Sequence, residues 1–213
     1  MMHSQVLIVA VPGRLPRIEA TGGLAGRCTQ PDTVHLVSTA ATPLGGDTLR
    51  VRVVVETGAR LRIRTVAATL VLPSAETLRS EAVWDIEVAG ELDLDPQPTV
   101  VAGGSAHHTQ TRLQLADSAR VRIREQIQIG RSNERAGFWS GLLHADAAGA
   151  PLLRHRIELG SGALGDDEIA APRACISEMR YPEPTFDAPD QLVLGLARGG
   201  SLATWQGDRL PAD

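Results

Sequence analysis

Along most of this chain apolar and polar residues alternate with a period of two, which sends successive side chains to opposite faces of a strand. Leu49, Val51, Val53 and Val55 alternate with Arg50, Arg52, Val54 and Glu56. After Thr57-Gly58, Leu61, Ile63 and Thr65 alternate with Arg60, Arg62 and Arg64. Two such runs around a short glycine turn predict a β-hairpin. The pattern returns in Ala82, Trp84, Ile86 and Val88, turns at Ala89-Gly90, and resumes in Leu92 and Leu94. It returns again in Leu113 and Leu115, turns at Ala116-Asp117-Ser118, and continues in Val121, Ile123, Ile127 and Ile129. Leu153, His155, Ile157 and Leu159 form a further run against Arg154, Arg156 and Glu158. Many short strands with Gly or Asp turns between them predict a mainly β protein.

Helical signals are few. The best runs from Gly165 to about Arg180, with Asp166 and Asp167 as capping candidates and Pro172 as an interruption. Tyr181 to Pro189, with three prolines, reads as extended loop. Residues after Gly199 read as a tail anchored by Trp205. The expected organisation is therefore one β domain over 1–198, with one or two short helices, and a C-terminal tail over 199–213.

The 213 residues suffice to bury a core without disulfides or structural metal. Only 3% are aromatic, so Val, Leu, Ile and Ala must fill that core, with Trp84, Phe138, Trp139 and Trp205 as rare anchors. All 21 basic residues are arginine. The absence of lysine excludes Schiff-base chemistry and a phosphate-loop lysine. A net charge of −4 argues against a dedicated nucleic-acid binder. Cys28 and Cys175 stand alone, with no CxxC motif, which suits a reducing cytoplasm. The apolar start at Val6–Val11 is too short to span a membrane.

Candidate chemistry is sparse. The arginine stripes face acidic strands that can neutralise them. His107 and His108 are neighbours, so a regular strand points them to opposite faces. No cluster has the converging spacing of a fixed metal site; a transient one could use a few carboxylates, a histidine or Cys28. There is no GxSxG elbow. Asp93 and Asp95 share one face of a strand. With Glu125 they leave open an alternative of another class: a carbohydrate-binding module or a carboxylate-dependent hydrolase. Gly45-Gly46-Asp47 is a tight turn. The loop Arg131, Ser132, Asn133, Glu134 and Arg135, beside Phe138 and Trp139, has the arginine and aromatic content of a protein interface.

Several landmarks then fall in order. Pro43-Leu44-Gly45-Gly46-Asp47-Thr48-Leu49 leads into a strand, followed by Thr57-Gly58-Ala59 and by Arg64-Thr65-Val66-Ala67-Ala68-Thr69. Later come Leu92-Asp93-Leu94-Asp95-Pro96 and then Gly130-Arg131 ahead of Phe138. Over about residues 33 to 160 this order resembles the urease accessory protein UreD family, also called UreH, in its actinobacterial form. The sequence departs from that pattern at Leu70, where the family has lysine, and at Ala136-Gly137, where it has a glutamate before the phenylalanine. The resemblance implies a non-catalytic protein of stacked, β-helix-like sheets. Its implied partners are a UreF-type protein, a UreG-type GTPase and apo-urease, with nickel carried in transit and no tightly bound cofactor. The expected partner-binding residues are Gly45, Gly46, Asp47, Arg131, Glu134, Arg135, Phe138 and Trp139. Those expected along a nickel path are His107, His108, Glu125 and Glu134. Neither nucleic acid nor membrane is an expected partner.

Overall fold

The computed structural model describes all residues except 133, 135, 168–170 and 212–213. Each alternating run forms a strand, and the strands lie in two facing sheets. The first holds β1 (His3–Ala10), β2 (Arg17–Thr21), β5 (Thr48–Val55), β8 (Arg79–Val88), β11 (Ala106–Leu115), β13 (Phe138–Ala147) and β14 (Ala150–Gly160), in the order β14-β13-β11-β8-β5-β1-β2. The second holds β3 (Leu24–Gln30), β4 (Thr33–Ser38), β6 (Arg60–Thr65), β9 (Glu91–Leu94), β12 (Arg120–Ile129), β15 (Ala174–Tyr181), β16 (Leu192–Gly195) and β17 (Ser201–Gly207), in the order β16-β17-β15-β12-β9-β6-β4-β3. Two short strands, β7 (Thr69–Val71) and β10 (Thr99–Val101), pair in parallel, and β10 lies along the far half of β12.

The chain crosses from one sheet to the other and back, so like strands stack in parallel. In the first sheet β1, β5, β8, β11 and β13 run parallel. In the second β4, β6, β9 and β12 do. This is a β-solenoid of about four turns. At the ends the direction reverses: β2, β3, β14, β15, β16 and β17 make antiparallel pairs.

The hairpin expected around Thr57-Gly58 is instead an arch. β5 pairs with β1 and β8, and β6 pairs with β4 and β9, so the two strands face each other across the core without hydrogen bonding. Alternation and a glycine turn are common to both arrangements. What separates them is the partner strand, which lies about one solenoid turn away in sequence. The arches stack as the strands do. Ala89 N–H donates to Val55 O, Glu91 N–H to Ala59 O, Ala116 N–H to Val88 O and Arg120 N–H to Gly90 O. Gly90 is a consequence: a Cβ there would stand 2.2 Å from Ala59 O and 2.5 Å from Glu56 O.

The helix expected over Gly165 to Arg180 is also corrected. The described part begins with turns, and Ala174–Tyr181 is strand β15. Pro172 cannot support a helix there. β15 lies between β12 and β17, so Cys175 and Met179 are buried on one face and Ala174, Ile176 and Glu178 on the other. Burial on both faces erases the period-two signature and leaves a run that resembles a helix. No α-helix occurs among the described residues. The expected tail likewise enters the fold, because Ser201–Gly207 is β17, with Leu202 and Ala203 buried.

Candidate functional site

Near the arches the inward positions are filled by large aliphatic side chains, Val53, Ile86 and Leu113 from one sheet and Leu61, Ile63, Leu92 and Val121 from the other. Toward the opposite ends of the strands the inward rows change character. One row of the first sheet runs Leu49, Ala82, Thr109, Gly141 and Ile157 in register. The next runs Val51, Trp84, Thr111, Leu143 and His155. Small and hydroxyl side chains in the first row cannot span the roughly 10 Å between packed sheets. A cavity of about 120 Å³ remains there, lined by both sheets and reaching from Leu24 beside β4 to His155 on β14.

Its wall carries the polar groups. β12 turns Val121, Ile123, Glu125, Ile127 and Ile129 inward, so Glu125 is a carboxyl in an apolar parity. Thr109 Oγ1 donates to Glu125 Oε1 at 3.0 Å, and Ser177 stands opposite in register. Burial outweighs that hydrogen bond and pushes the Glu125 carboxyl up to about 7. His107, 2% exposed, shares a 2.9 Å hydrogen bond between its Nδ1 and the Ser80 hydroxyl. Burial and then the neighbouring His108 push its pKa down to about 4, so it is neutral at physiological pH. His155 also lines the cavity, and burial lowers its pKa. The Trp139 indole, 1% exposed, lines the wall with its Nε1 lacking an acceptor. A cleft of about 820 Å³ lies between β14 and β17, and His155 and Ile157 line both it and the cavity.

Of the four residues expected on a nickel path, the fold brings His107 and Glu125 to this cavity. It separates the other two. His108 projects from the outer face of the first sheet, its ring 5.6 Å from that of Phe138. Glu134 ties down a surface loop: its carboxylate accepts from Gly103 N–H at 2.9 Å and from Arg131 N–H at 3.1 Å, and pairs with the Arg131 guanidinium. Arg131 and those N–H groups hold it down at about 2. Among the described residues no three of His, Cys, Asp and Glu are grouped to hold a metal ion.

The residues expected at partner surfaces also divide. Asp47, 4% exposed, latches the N-terminus: it accepts from Met2 N–H at 2.7 Å and from the Thr42 hydroxyl and Leu44 N–H at 2.9 Å. Burial would raise its pKa, but these donors outweigh burial and lower it. Gly45 is packed so closely that a Cβ would meet Thr77 O at 1.8 Å. Gly46, next to it, is half-buried. Trp139 faces inward, Arg131 is exposed and Phe138 half-buried. Arg135 lies outside the described residues. Sequence reasoning missed His155, Thr109 and Ser177 as cavity residues. An imidazole in the parity of Leu153, Ile157 and Leu159 was the available signal.

Asp93 and Asp95 pair with Arg122 on the outer face of the second sheet, whereas Glu125 faces the cavity. Of the carboxylates suggested for a hydrolase, Glu125 is cut off from Asp93 and Asp95 by the sheet, and the latter two are held by the Arg122 guanidinium.

Fold and site define a β-solenoid protein whose polar groups converge inside the body, between the sheets. The UreD urease accessory protein model matches residues 25–180. Urease accessory protein UreD 1 of Saccharopolyspora erythraea is 36% identical, over 95% of this chain and 80% of its own. Its counterpart from Frankia alni is 40% identical over 84% of this chain and 70% of its own, and that from Streptomyces coelicolor 34% identical over 71% and 62%. The chain belongs to the UreD urease accessory protein family, and so is a non-catalytic protein of urease maturation. No helix among the described residues is long and apolar enough to cross a membrane.

Proposed function

We propose that this protein is a cytoplasmic scaffold that binds UreF- and UreG-type accessory proteins and apo-urease, and that nickel destined for urease passes through its interior. The observation that carries this reading is the cavity between the sheets, with His107, Glu125 and His155 on its wall and His155 also lining the open cleft. Such a wall supplies scattered oxygen and imidazole donors without a chelating cluster. That suits passage, because an ion held tightly does not move on.

A strain lacking the gene, complemented with wild type or with Glu125→Ala, tests it. Urease purified from the uncomplemented strain should be present but nickel-poor, and wild type should restore its metal. The Glu125→Ala protein should co-purify with the accessory proteins and apo-urease yet restore nickel at least about threefold less well, given the loss of a carboxylate from the cavity wall. Normal urease nickel without the gene would overturn the reading. Full restoration by the variant would overturn the interior path.

A further inference from the structure

The outer face of the second sheet, across the sheet from the cavity, carries a different pattern. β9 presents Glu91 and Asp93 outward and lies between two arginine strands, β6 with Arg60, Arg62 and Arg64, and β12 with Arg120, Arg122 and Arg124. Register sets Arg60, Glu91 and Arg120 in one row, and Arg62, Asp93 and Arg122 in the next. Each carboxylate thus stands between two guanidinium groups, and the pairing is uneven. Glu91 bonds Arg60 at 2.7 Å, and Asp93 is shared by Arg64 and Arg122. Glu178 on β15 takes Arg122 at 3.0 Å and Arg180 at 2.7 Å. Among the described residues Arg62 pairs only with Asp32, at 3.5 Å, with its side chain 42% exposed. Arg120 is exposed and forms no ion pair among the described residues. A groove of about 330 Å³ runs along these rows, lined by Arg60, Arg62, Arg120, Arg122 and Arg180 against Glu91, Asp93 and Glu183. Its lining holds five guanidinium groups against three carboxylates, and Asp32, Asp95 and Glu178 pair with Arg62, Arg122 and Arg180 from beside it, which leaves Arg62 and Arg120 the least engaged.

We propose that this groove docks an acidic polypeptide segment of a partner protein, through Arg62 and Arg120. Two strand spacings and one row separate Arg62 from Arg120, so the two guanidinium stems start about 12 Å apart, a span that a single small anion does not bridge. Carboxylates on one face of a helix or extended strand recur at roughly 5 to 7 Å, so two of them two steps apart, at roughly 10 to 14 Å, can meet both. The surface does not favour nucleic acid. Among the described residues that line the groove none is aromatic, so a base finds no platform in it. The weakly engaged guanidinium groups of Arg62 and Arg120 steer an acidic partner to this face and fix its register more than they add affinity.

Fluorescence anisotropy of the whole chain with a labelled oligoglutamate peptide tests the proposal. Saturable binding is expected, weakening about tenfold between about 50 and 200 mM salt. The double variant Arg62→Glu, Arg120→Glu should weaken it by about tenfold or more, while Arg50→Glu, exposed on the outer face of the other sheet, should change it less than about twofold. Circular dichroism checks that the variants are folded. If the reversal disturbs folding, Arg62→Ala with Arg120→Ala should still weaken binding by about threefold. Absence of saturable binding, equal loss with Arg50→Glu, or equal competition by an oligothymidylate of matched charge would overturn the proposal.

Discussion

In the middle of the molecule each strand is followed by an arch that carries the chain to the opposite sheet. At the two ends the chain turns back beside itself, as β13 does into β14 through Ala148 and Gly149 with φ of 49° and 74°. Both regions use short strands of alternating polarity, yet they meet different constraints. A hairpin satisfies its backbone locally and leaves its turn free in solvent. An arch satisfies its backbone only through the arch above and below, so its geometry is shared by every turn of the stack. A turn glycine is therefore optional at the hairpin and required at Gly90, where the neighbouring arch closes on it, although the arch of Ala116-Asp117-Ser118-Ala119 has none.

Substitution gives the sharpest form of that contrast. Gly90→Ala must push aside the carbonyls of Ala59 and Glu56, and it should cost about 3 kcal/mol or more. Gly149→Ala meets no atom within 4 Å and pays only for its positive φ, about 1 kcal/mol. Urea midpoints of the two variants measure the difference; equal losses would remove the distinction between arch and hairpin.

The seam between the two regions, where parallel β12 meets antiparallel β15, gives the next effect. Folding raises the Glu125 pKa from 4.5 to about 7, so Glu125 costs stability as pH rises through that window. Folding lowers the His107 pKa from 6.5 to about 4, so His107 costs stability as pH falls through that window. Between about pH 4.5 and 6.5 the two slopes oppose, each approaching roughly 1.4 kcal/mol per pH unit, and their sum is close to flat. Glu125→Gln should unmask loss of stability on acidification below pH 6.5. His107→Gln should unmask loss on alkalinisation from pH 4.5 to 7. Denaturation midpoints across that range check both signs.

The smallest effect lies on the outer faces, where central and terminal strands should behave alike. Arg52 pairs with Glu87 in the central coils at 2.7 Å, and Arg154 pairs with Asp146 at the end, with both arginine side chains 44% exposed or more. Arg52→Ala and Arg154→Ala should each cost no more than about 0.5 kcal/mol by thermal melting. A larger loss at the centre alone would mean that the stacked coils depend on their surface ladders.

Strands were legible in the sequence wherever one face is buried and the other wet, as in β5, β6 and β12. β15 was not, because a strand packed on both faces loses its alternation and imitates a helix. Arch and hairpin were indistinguishable at Thr57-Gly58, since the deciding partner lies in the next coil and not beside the turn. At the candidate site Glu125 and His155 stand as polar residues in apolar parity, a signal that the reading of the sequence did not use for His155, whereas the opposite facing of His107 and His108 followed from strand geometry alone. Trp139 looked like an interface aromatic because it lies beside a charged loop; its burial follows from the parity it shares with His107 across β11 and β13. Glu134 looked like a metal ligand because nothing in the sequence reveals that it closes its own loop.

A stack of parallel coils has no natural end: each turn exposes a template on which another could grow. The reversed strands at its two ends stop that growth, and they do so without reference to how many coils lie between them. Length is therefore a modular property of this architecture. A coil inserted or deleted as a unit would shift one cap relative to the other by a fixed step, moving the surfaces that the caps display without redesigning either.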